Sequence, residues 1–160
     1  MAYIELNTAI KAPIQRVFDL SRSIDFHQIS TPGTKESAIA GRMEGLIQKG
    51  ETVTWRARHL GFVQKLTTII PEMEVPHYFC DEMQKGAFRS MRHEHHYEEV
   101  NGVTTMTDRM TFISPLGCLG KLFNSLYLHA YMRRFLEKRA LILKEWAESD
   151  RWREVPGILS

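Results

Sequence analysis

Residues 91–113 of the chain read MRHEHHYEEVNGVTTMTDRMTFI, and this stretch decides the predicted fold. Asn101-Gly102 stands between two runs in which apolar and polar residues alternate. An Asn-Gly pair in such a place is a strong hairpin signal, because a two-residue type I′ turn needs positive φ at both positions. The pattern therefore predicts a β-hairpin in which Val100 pairs with Val103.

This turn determines which side chains share a face of the hairpin. One face is mostly apolar, in the predicted pairs Tyr97 with Met106, His95 with Asp108, His93 with Met110, and Met91 with Phe112. The opposite face is charged or hydroxylated, as solvated faces are. We therefore predict that His93, His95 and Asp108 point into the protein. A shift of one residue would reverse the two faces.

A second tight turn is predicted at Leu60-Gly61. It pairs residues of another mostly apolar face, namely His59 with Phe62, Ala57 with Gln64, and Trp55 with Leu66. His59 thereby joins the polar residues that are predicted to lie inside. Because a buried polar group without a partner is costly, the inward histidines indicate either a hydrogen-bonded network or a ligand pocket with a few polar groups.

The remaining elements follow from periodicity and from turn residues. Apart from the two hairpins, strands are predicted over residues 3–10, 37–41 and 77–83, and one or two short helices over residues 13–30. The hairpin strands cover residues 51–59, 62–70, 88–100 and 103–113. A loop at residues 116–120 leads into a helix from about 119 to 148. A sheet with one apolar face and a helix with an apolar stripe are expected to pack together as one α+β domain, residues 1–160.

Composition excludes several classes of protein. With 43% apolar residues, 25% charged residues and a net charge of +2, the chain is ordinary for a soluble globular protein and has no field to attract nucleic acid. The N-terminus lacks the basic start and apolar run of a signal peptide, and no stretch is long and apolar enough to span a membrane. Cys80 and Cys118 are expected to be reduced core thiols of a cytoplasmic protein. The basic residues Arg133, Arg134, Lys138 and Arg139 are expected on a solvated helix face.

The histidines admit three interpretations. They form an internal network in which Asp108 orients His95, they orient a ligand in a cavity, or they hold a metal through His93-x-His95 with His59. No fourth metal ligand follows from spacing, and we assign no metal or cofactor. His27 and His77 are expected at the surface or at the edge of the core. Alternation leaves the direction of Asp81 open.

Several segments together resemble the START-like proteins, the SRPBCC or polyketide cyclase/dehydrase-like superfamily. In that superfamily a first strand runs into an APxxxVF helix, as residues 10–20 do here. The segments at 50–61, 92–95, 107–110 and 115–120 resemble a bacterial, mostly uncharacterised branch of it. The resemblance implies a helix-grip fold: a curved seven-stranded antiparallel sheet, two short helices after the first strand, and a long C-terminal helix that closes a cavity. It also favours Phe79 and Asp81 as inward residues.

Members of this superfamily bind lipids, sterols, polyketides and other apolar molecules, and some are cyclases or aromatases. The leading hypothesis is therefore a binder or carrier of a small, mostly apolar molecule. Its predicted site consists of Trp55, His59, Leu66, Phe79, Asp81, Met91, His93, His95, Tyr97, Met106, Asp108, Met110 and Phe112. The alternatives are a cyclase, dehydratase or hydrolase in which His95, held by Asp108 and near His93, transfers protons, and a protein-interaction module. The oligomeric state is left open.

Overall fold

The computed structural model describes residues 1–114 and 127–159. Along the chain the strands are β1 (Ala2–Ile10), β2 (Ser37–Gly41), β3 (Thr52–His59), β4 (Phe62–Ile69), β5 (Met73–Glu74), β6 (Tyr78–Lys85), β7 (Ser90–Val100) and β8 (Val103–Ile113). The helices are α1 (Ile14–Arg22), α2 (Ile24–Ser30) and α3 (His129–Glu148), and a 3-10 helix follows at Asp150–Glu154. The predicted α+β class is confirmed.

One antiparallel sheet contains all the described strands, in the order β1-β8-β7-β6-β4-β3-β2, with the two-residue β5 paired to β6. Seven of these strands were predicted, and β5 is the addition. Two residues are too few to show alternation, so the sequence pattern carries no signal for β5. Helix α3 packs against β1 and α1, as expected for the helix-grip fold.

Both predicted hairpin registers are confirmed. In the β7–β8 hairpin, Val100 lies opposite Val103 and His95 opposite Asp108. In the β3–β4 hairpin, His59 lies opposite Phe62 and Trp55 opposite Leu66. Residues Asn101 and Gly102 have φ of 52° and 77°, and Leu60 and Gly61 have φ of 53° and 83°. Positive φ at both turn positions is the requirement of the type I′ turn.

Burial follows the predicted alternation. In β7 and β8 the buried side chains are Met91, His93, His95, Tyr97, Thr104, Met106, Asp108, Met110 and Phe112. Their intervening neighbours are half-buried or exposed. The face that carries the histidines therefore points inward, as the Asn101-Gly102 register predicts.

The two short helices fill one end of the sheet. Phe18 of α1 makes edge-on ring contacts with Phe79 and Tyr97, at centroid distances of 5.5 and 5.3 Å. The Oγ of Ser23 accepts a hydrogen bond from the backbone N–H of Phe26 and so caps α2. Pro13 lies immediately before α1, where its missing N–H leaves no hydrogen bond unmade. The predicted pair of helices is thus confirmed.

Some predictions fall on other parts of the chain. The loop at residues 116–120, Cys118 and the start of the long helix near residue 119 lie outside the described residues. The described part of that helix, α3, ends at Glu148 as predicted. Cys80 is fully buried. No described helix has the length and apolarity needed to cross a bilayer.

Replacing Gly102 with alanine is expected to destabilise the hairpin and hence the fold. Gly102 has φ of 77° with nothing near the position of a new Cβ, so the cost is backbone strain alone, about 1 kcal/mol of unfolding free energy. The matched control is Gly33→Ala, at an exposed glycine without positive φ. Urea denaturation measures both variants. Equal midpoints for the two would contradict the turn assignment.

Candidate ligand-binding cavity

A cavity of about 310 Å³ lies between the sheet and the helices α2 and α3. The apolar side chains on its sheet side are Val53, Trp55, Ala57, Leu66, Phe79, Met91 and Met110. Those on its helix side are Ile24, Met132, Phe135 and Leu136. Leu60, Lys65 and Ala87 also border it and are exposed, so they mark its opening. The volume is at the lower end of the range for small-molecule sites.

Four polar residues from three adjacent strands meet beside this cavity, and Asp81, His93 and His95 among them line it. We call Asp81, His93, His95 and Asp108 the His95 network. Oδ1 of Asp108 lies 2.7 Å from Nδ1 of His95 and 3.2 Å from Nε2 of His93. On the other side of the ring, Nε2 of His95 lies 3.2 Å from Oδ2 of Asp81. The register explains this meeting, since it places Asp108 opposite His95 on one strand and Asp81 opposite His93 on the other.

The contacts determine which members of the His95 network carry charge. Burial by itself would lower the pKa of His95, but the two carboxylates beside its ring outweigh burial and raise that pKa to about 9. Burial and the neighbouring His95 charge lower the pKa of His93. The pKa values of Asp81 and Asp108 are lowered by the histidines despite burial. At neutral pH the network therefore holds two carboxylates and one imidazolium.

This arrangement bears on the proposed proton-transfer role of His95. Each of its ring nitrogens faces a carboxylate, although the 2.7 Å approach of Asp108 to Nδ1 is too far from the N–H direction for a regular hydrogen bond. The charged ring has no lone pair with which to take a proton from a substrate. In this form His95 cannot act as a general base, and its Nε2 contacts Oδ2 of Asp81 at 3.2 Å.

A second set of polar residues also lines the cavity, and we call it the Glu36 network. Oε2 of Glu36 lies 2.5 Å from Nε2 of His27, and Oε1 lies 3.4 Å from Nε2 of His59. Tyr131 contacts Nδ1 of His59 through its hydroxyl at 2.8 Å. Arg139 donates to Nδ1 of His27 at 3.1 Å. Since Nδ1 of His27 accepts this bond, the ring proton is on Nε2, facing Glu36.

The Glu36 network is balanced in charge. Burial would raise the pKa of Glu36, but His27, His59 and Arg139 hold it well below its usual range. Burial and the nearby guanidinium of Arg139 lower the pKa of His27. The ring of His27 also stacks on Trp55, with centroids 4.0 Å apart. The negative charge of Glu36 is therefore balanced by the positive charge of Arg139, with the neutral ring of His27 between them.

The predicted site residues fall into three groups. The cavity is lined by Trp55, His59, Leu66, Phe79, Asp81, Met91, His93, His95 and Met110. Met106 and Asp108 instead border a neighbouring void of about 20 Å³. Tyr97 and Phe112 are packed in the core. His59 contacts Glu36 and Tyr131 rather than His93 and His95, so the suggested three-histidine grouping does not form.

Three contributors to the cavity were missed or misplaced from the sequence. His27 was expected at the surface or core edge, yet it lines the cavity between Trp55 and Glu36. Arg139 was expected on a solvated helix face, and there the prediction is wrong, because it too lines the cavity. Its spacing from Leu136 and Leu143 places it beside the apolar stripe of α3, a signal that was available. Glu36 has no comparable signal.

His93, His95 and Asp108 also have the composition of a metal site, and their donor atoms lie within 4.8 Å of one another. An imidazole binds a metal through a deprotonated nitrogen. These groups contact one another directly, with Oδ1 of Asp108 at 3.2 Å from Nε2 of His93 and 2.7 Å from Nδ1 of His95, so an ion would have to replace these contacts and the proton on His95.

The charge on His95 makes stability depend on pH. Its pKa is raised from 6.5 to about 9 on folding, so its contribution is complete below the unfolded value and is lost as pH rises through the folded value. The free energy of unfolding should fall by up to about 3 kcal/mol as pH rises across this interval. Asp81→Asn, which removes one carboxylate, should flatten this slope.

Chemical denaturation at several pH values measures this dependence. Glu82→Gln is the control, since Glu82 is the next residue of β6, is exposed and contacts Arg92; its slope should match that of the wild type. A wild-type stability that stays level over this interval would show that His95 is not held charged.

No protein-family model matches the chain, and no curated protein matches it. Solved structures do match. TTHA0849 of Thermus thermophilus aligns with a TM-score of 0.74 and 15% identity, over 90% of this chain and 95% of that one. A START superfamily protein of Mycobacterium smegmatis aligns with a TM-score of 0.71 and 12% identity, over 91% and 97% of the two chains. Major latex-like protein 151 of Panax ginseng aligns with a TM-score of 0.67 and 13% identity, over 92% of this chain and 98% of that one.

At identities this low the alignments show a shared fold only. The coverage shows that the likeness extends over nearly the whole of each chain. The sheet order, the paired short helices and the C-terminal helix agree with it. The chain therefore has the START-like helix-grip fold that its sequence resembles.

Proposed function

We propose that the chain binds or carries a small, mostly apolar molecule in the cavity between its sheet and α3. The observation that supports this most is the cavity itself: about 310 Å³, with apolar walls and polar groups gathered in two networks. An engineered apolar cavity of about half this size binds benzene. The volume thus suits a molecule of two or three aromatic rings or a medium-length hydrocarbon chain.

The polar groups support a ligand with one polar end. Ligand sites commonly combine apolar walls with a few placed polar groups that orient the molecule. Here Asp81 and Arg139 line the same cavity from β6 and α3, while the apolar residues make up the rest of the walls.

Two widely spaced cysteines offer no disulfide framework, so the cytoplasm is the expected compartment.

The alternative, an enzyme that uses His95 and Asp108 for proton transfer, has less support from the geometry. The His95 ring is engaged by carboxylates at both nitrogens, and Asp108 contacts both histidines. A general base needs an accessible lone pair and a general acid needs a proton that can reach the substrate, whereas both nitrogens of this ring face carboxylates. We therefore place binding or transport ahead of catalysis.

Filling part of the cavity should weaken binding while leaving the fold intact. Ala57 is buried on β3 and lines the cavity, so Ala57→Phe puts a phenyl ring into the space that the ligand needs. The neutral fluorescent probe N-phenylnaphthylamine is expected to bind the wild type, and the variant should bind at least about tenfold more weakly, a difference of about 1.4 kcal/mol.

Ala40→Phe is the matched control, because it adds the same ring at an exposed position on β2. This control should bind the probe as the wild type does. Absence of probe binding by the wild type, or equal binding by Ala57→Phe, would count against the proposed function.

A further inference from the structure

Asp81 has a feature from which the head group of the ligand can be inferred. Its Oδ2 contacts His95, whereas Oδ1 has no hydrogen bond among the described residues. The side chain keeps 25% of its surface accessible and lines the cavity. An acceptor oxygen with negative charge therefore faces the space in which the ligand would lie.

The other carboxylates near the cavity have their acceptors engaged or lie away from it. Glu36 uses Oε2 for His27, and its Oε1 takes a hydrogen bond from Thr34 and lies near His59. Asp108 borders the small neighbouring void rather than the cavity. Among the described residues, Asp81 is thus the carboxylate with a free oxygen in the cavity.

The charges around the cavity leave a negative excess at Asp81. Glu36 is opposed by Arg139 through His27. Asp19 and Arg22 form their own pair at 2.8 Å. The His95 network retains two carboxylates against one imidazolium. Lys65 borders the cavity at its opening, where it is exposed and its charge is solvated. A partly buried negative excess favours a cationic partner.

We propose that the ligand is an amphipathic amine whose protonated nitrogen donates to Asp81 while its apolar body occupies the rest of the cavity. This inference rests on the proposed function, since it names the class of molecule for the same site. An ammonium group supplies both the charge and the hydrogen-bond donors that the open carboxylate oxygen lacks.

Arg139 is the feature that competes with this assignment. Its Nε is buried and has no hydrogen-bond partner among the described residues, so it could meet an acceptor on a ligand. Its charge, however, is already opposed by Glu36, whereas that of Asp81 adds to a network with excess negative charge. The two possibilities predict opposite preferences, cation over anion or anion over cation, and a matched set of compounds distinguishes them.

The test uses one ring system with three head groups: naphthylmethylamine, naphthylmethanol and naphthoate, each substituted at the same ring position. Displacement of N-phenylnaphthylamine at neutral pH gives their relative affinities. For the wild type, the amine is expected to bind at least about tenfold more tightly than naphthoate and several-fold more tightly than the alcohol. Naphthoate binding as well as the amine, or better, would overturn the proposal.

Substitutions on β6 test whether Asp81 is the source of the preference for the amine. Asp81→Asn keeps an acceptor for His95 but removes the charge, so it should weaken amine binding about tenfold and change alcohol binding less than about twofold. Asp81→Glu should retain the preference for the amine. Glu82→Gln, on the outer face of the same strand, should leave all three affinities unchanged. An unchanged ratio of amine to alcohol affinity in Asp81→Asn would overturn the assignment of Asp81.

The outcomes separate the two proposals. If the neutral probe and the alcohol bind but the amine has no advantage, the head-group assignment fails and the proposed function stands. If none of the compounds binds, both fail. Should Asp81→Asn not fold, the wild-type comparison of three head groups still decides the matter, because it requires no variant.

Discussion

The register between β7 and β8 is the constraint on which the rest of the structure depends. Alternate side chains of a strand point to opposite faces, so the pairing of Val100 with Val103 decides the direction of every residue in both strands. In this register Met91, Met110 and Phe112 are buried together, and the same alternation brings His93, His95 and Asp108 inside. A shift by one residue would bury charged residues such as Glu94 and Arg109 and expose the methionines. The apolar members of the face therefore hold its polar members in place.

The polar residues are stable inside because they neutralise one another in part. A buried ionised group is tolerated when it is paired and hydrogen-bonded. His95 is paired with Asp81 and Asp108 and hydrogen-bonded to Asp81, and Arg139 is paired with Glu36 through His27. Among the described residues that line the cavity, the charge without a full counterpart lies at Asp81. The same arrangement that keeps the histidines in the fold thus leaves one carboxylate oxygen for a ligand.

The hairpins and the inward face were predictable because they depend on local chemistry. Asn101-Gly102 and Leu60-Gly61 each determine a turn, and the alternation of apolar and polar residues then determines which side chains face inward. The proximity of Asp81 to His95 required knowing that β6 lies beside β7, which alternation along a strand does not show; the resemblance favoured only the inward direction of Asp81. The Glu36 network could not be predicted, because Glu36 precedes β2, His27 lies in α2 and Arg139 lies in α3, and they meet only when the helices pack on the sheet. Which histidine carries charge depends on its contacts in the folded chain and cannot be predicted from the sequence.

The charge beside the cavity depends on His95, a buried imidazolium held between two carboxylates. The most direct measurement is NMR of the histidine ring nitrogens as a function of pH. Both nitrogens of His95 are expected to be protonated at neutral pH, and the ring should lose its proton only near its folded pKa of about 9. His93 and His27 should each show one unprotonated nitrogen. An unprotonated nitrogen on His95 at neutral pH, with a midpoint like that of an ordinary exposed histidine, would contradict the charge assigned to His95.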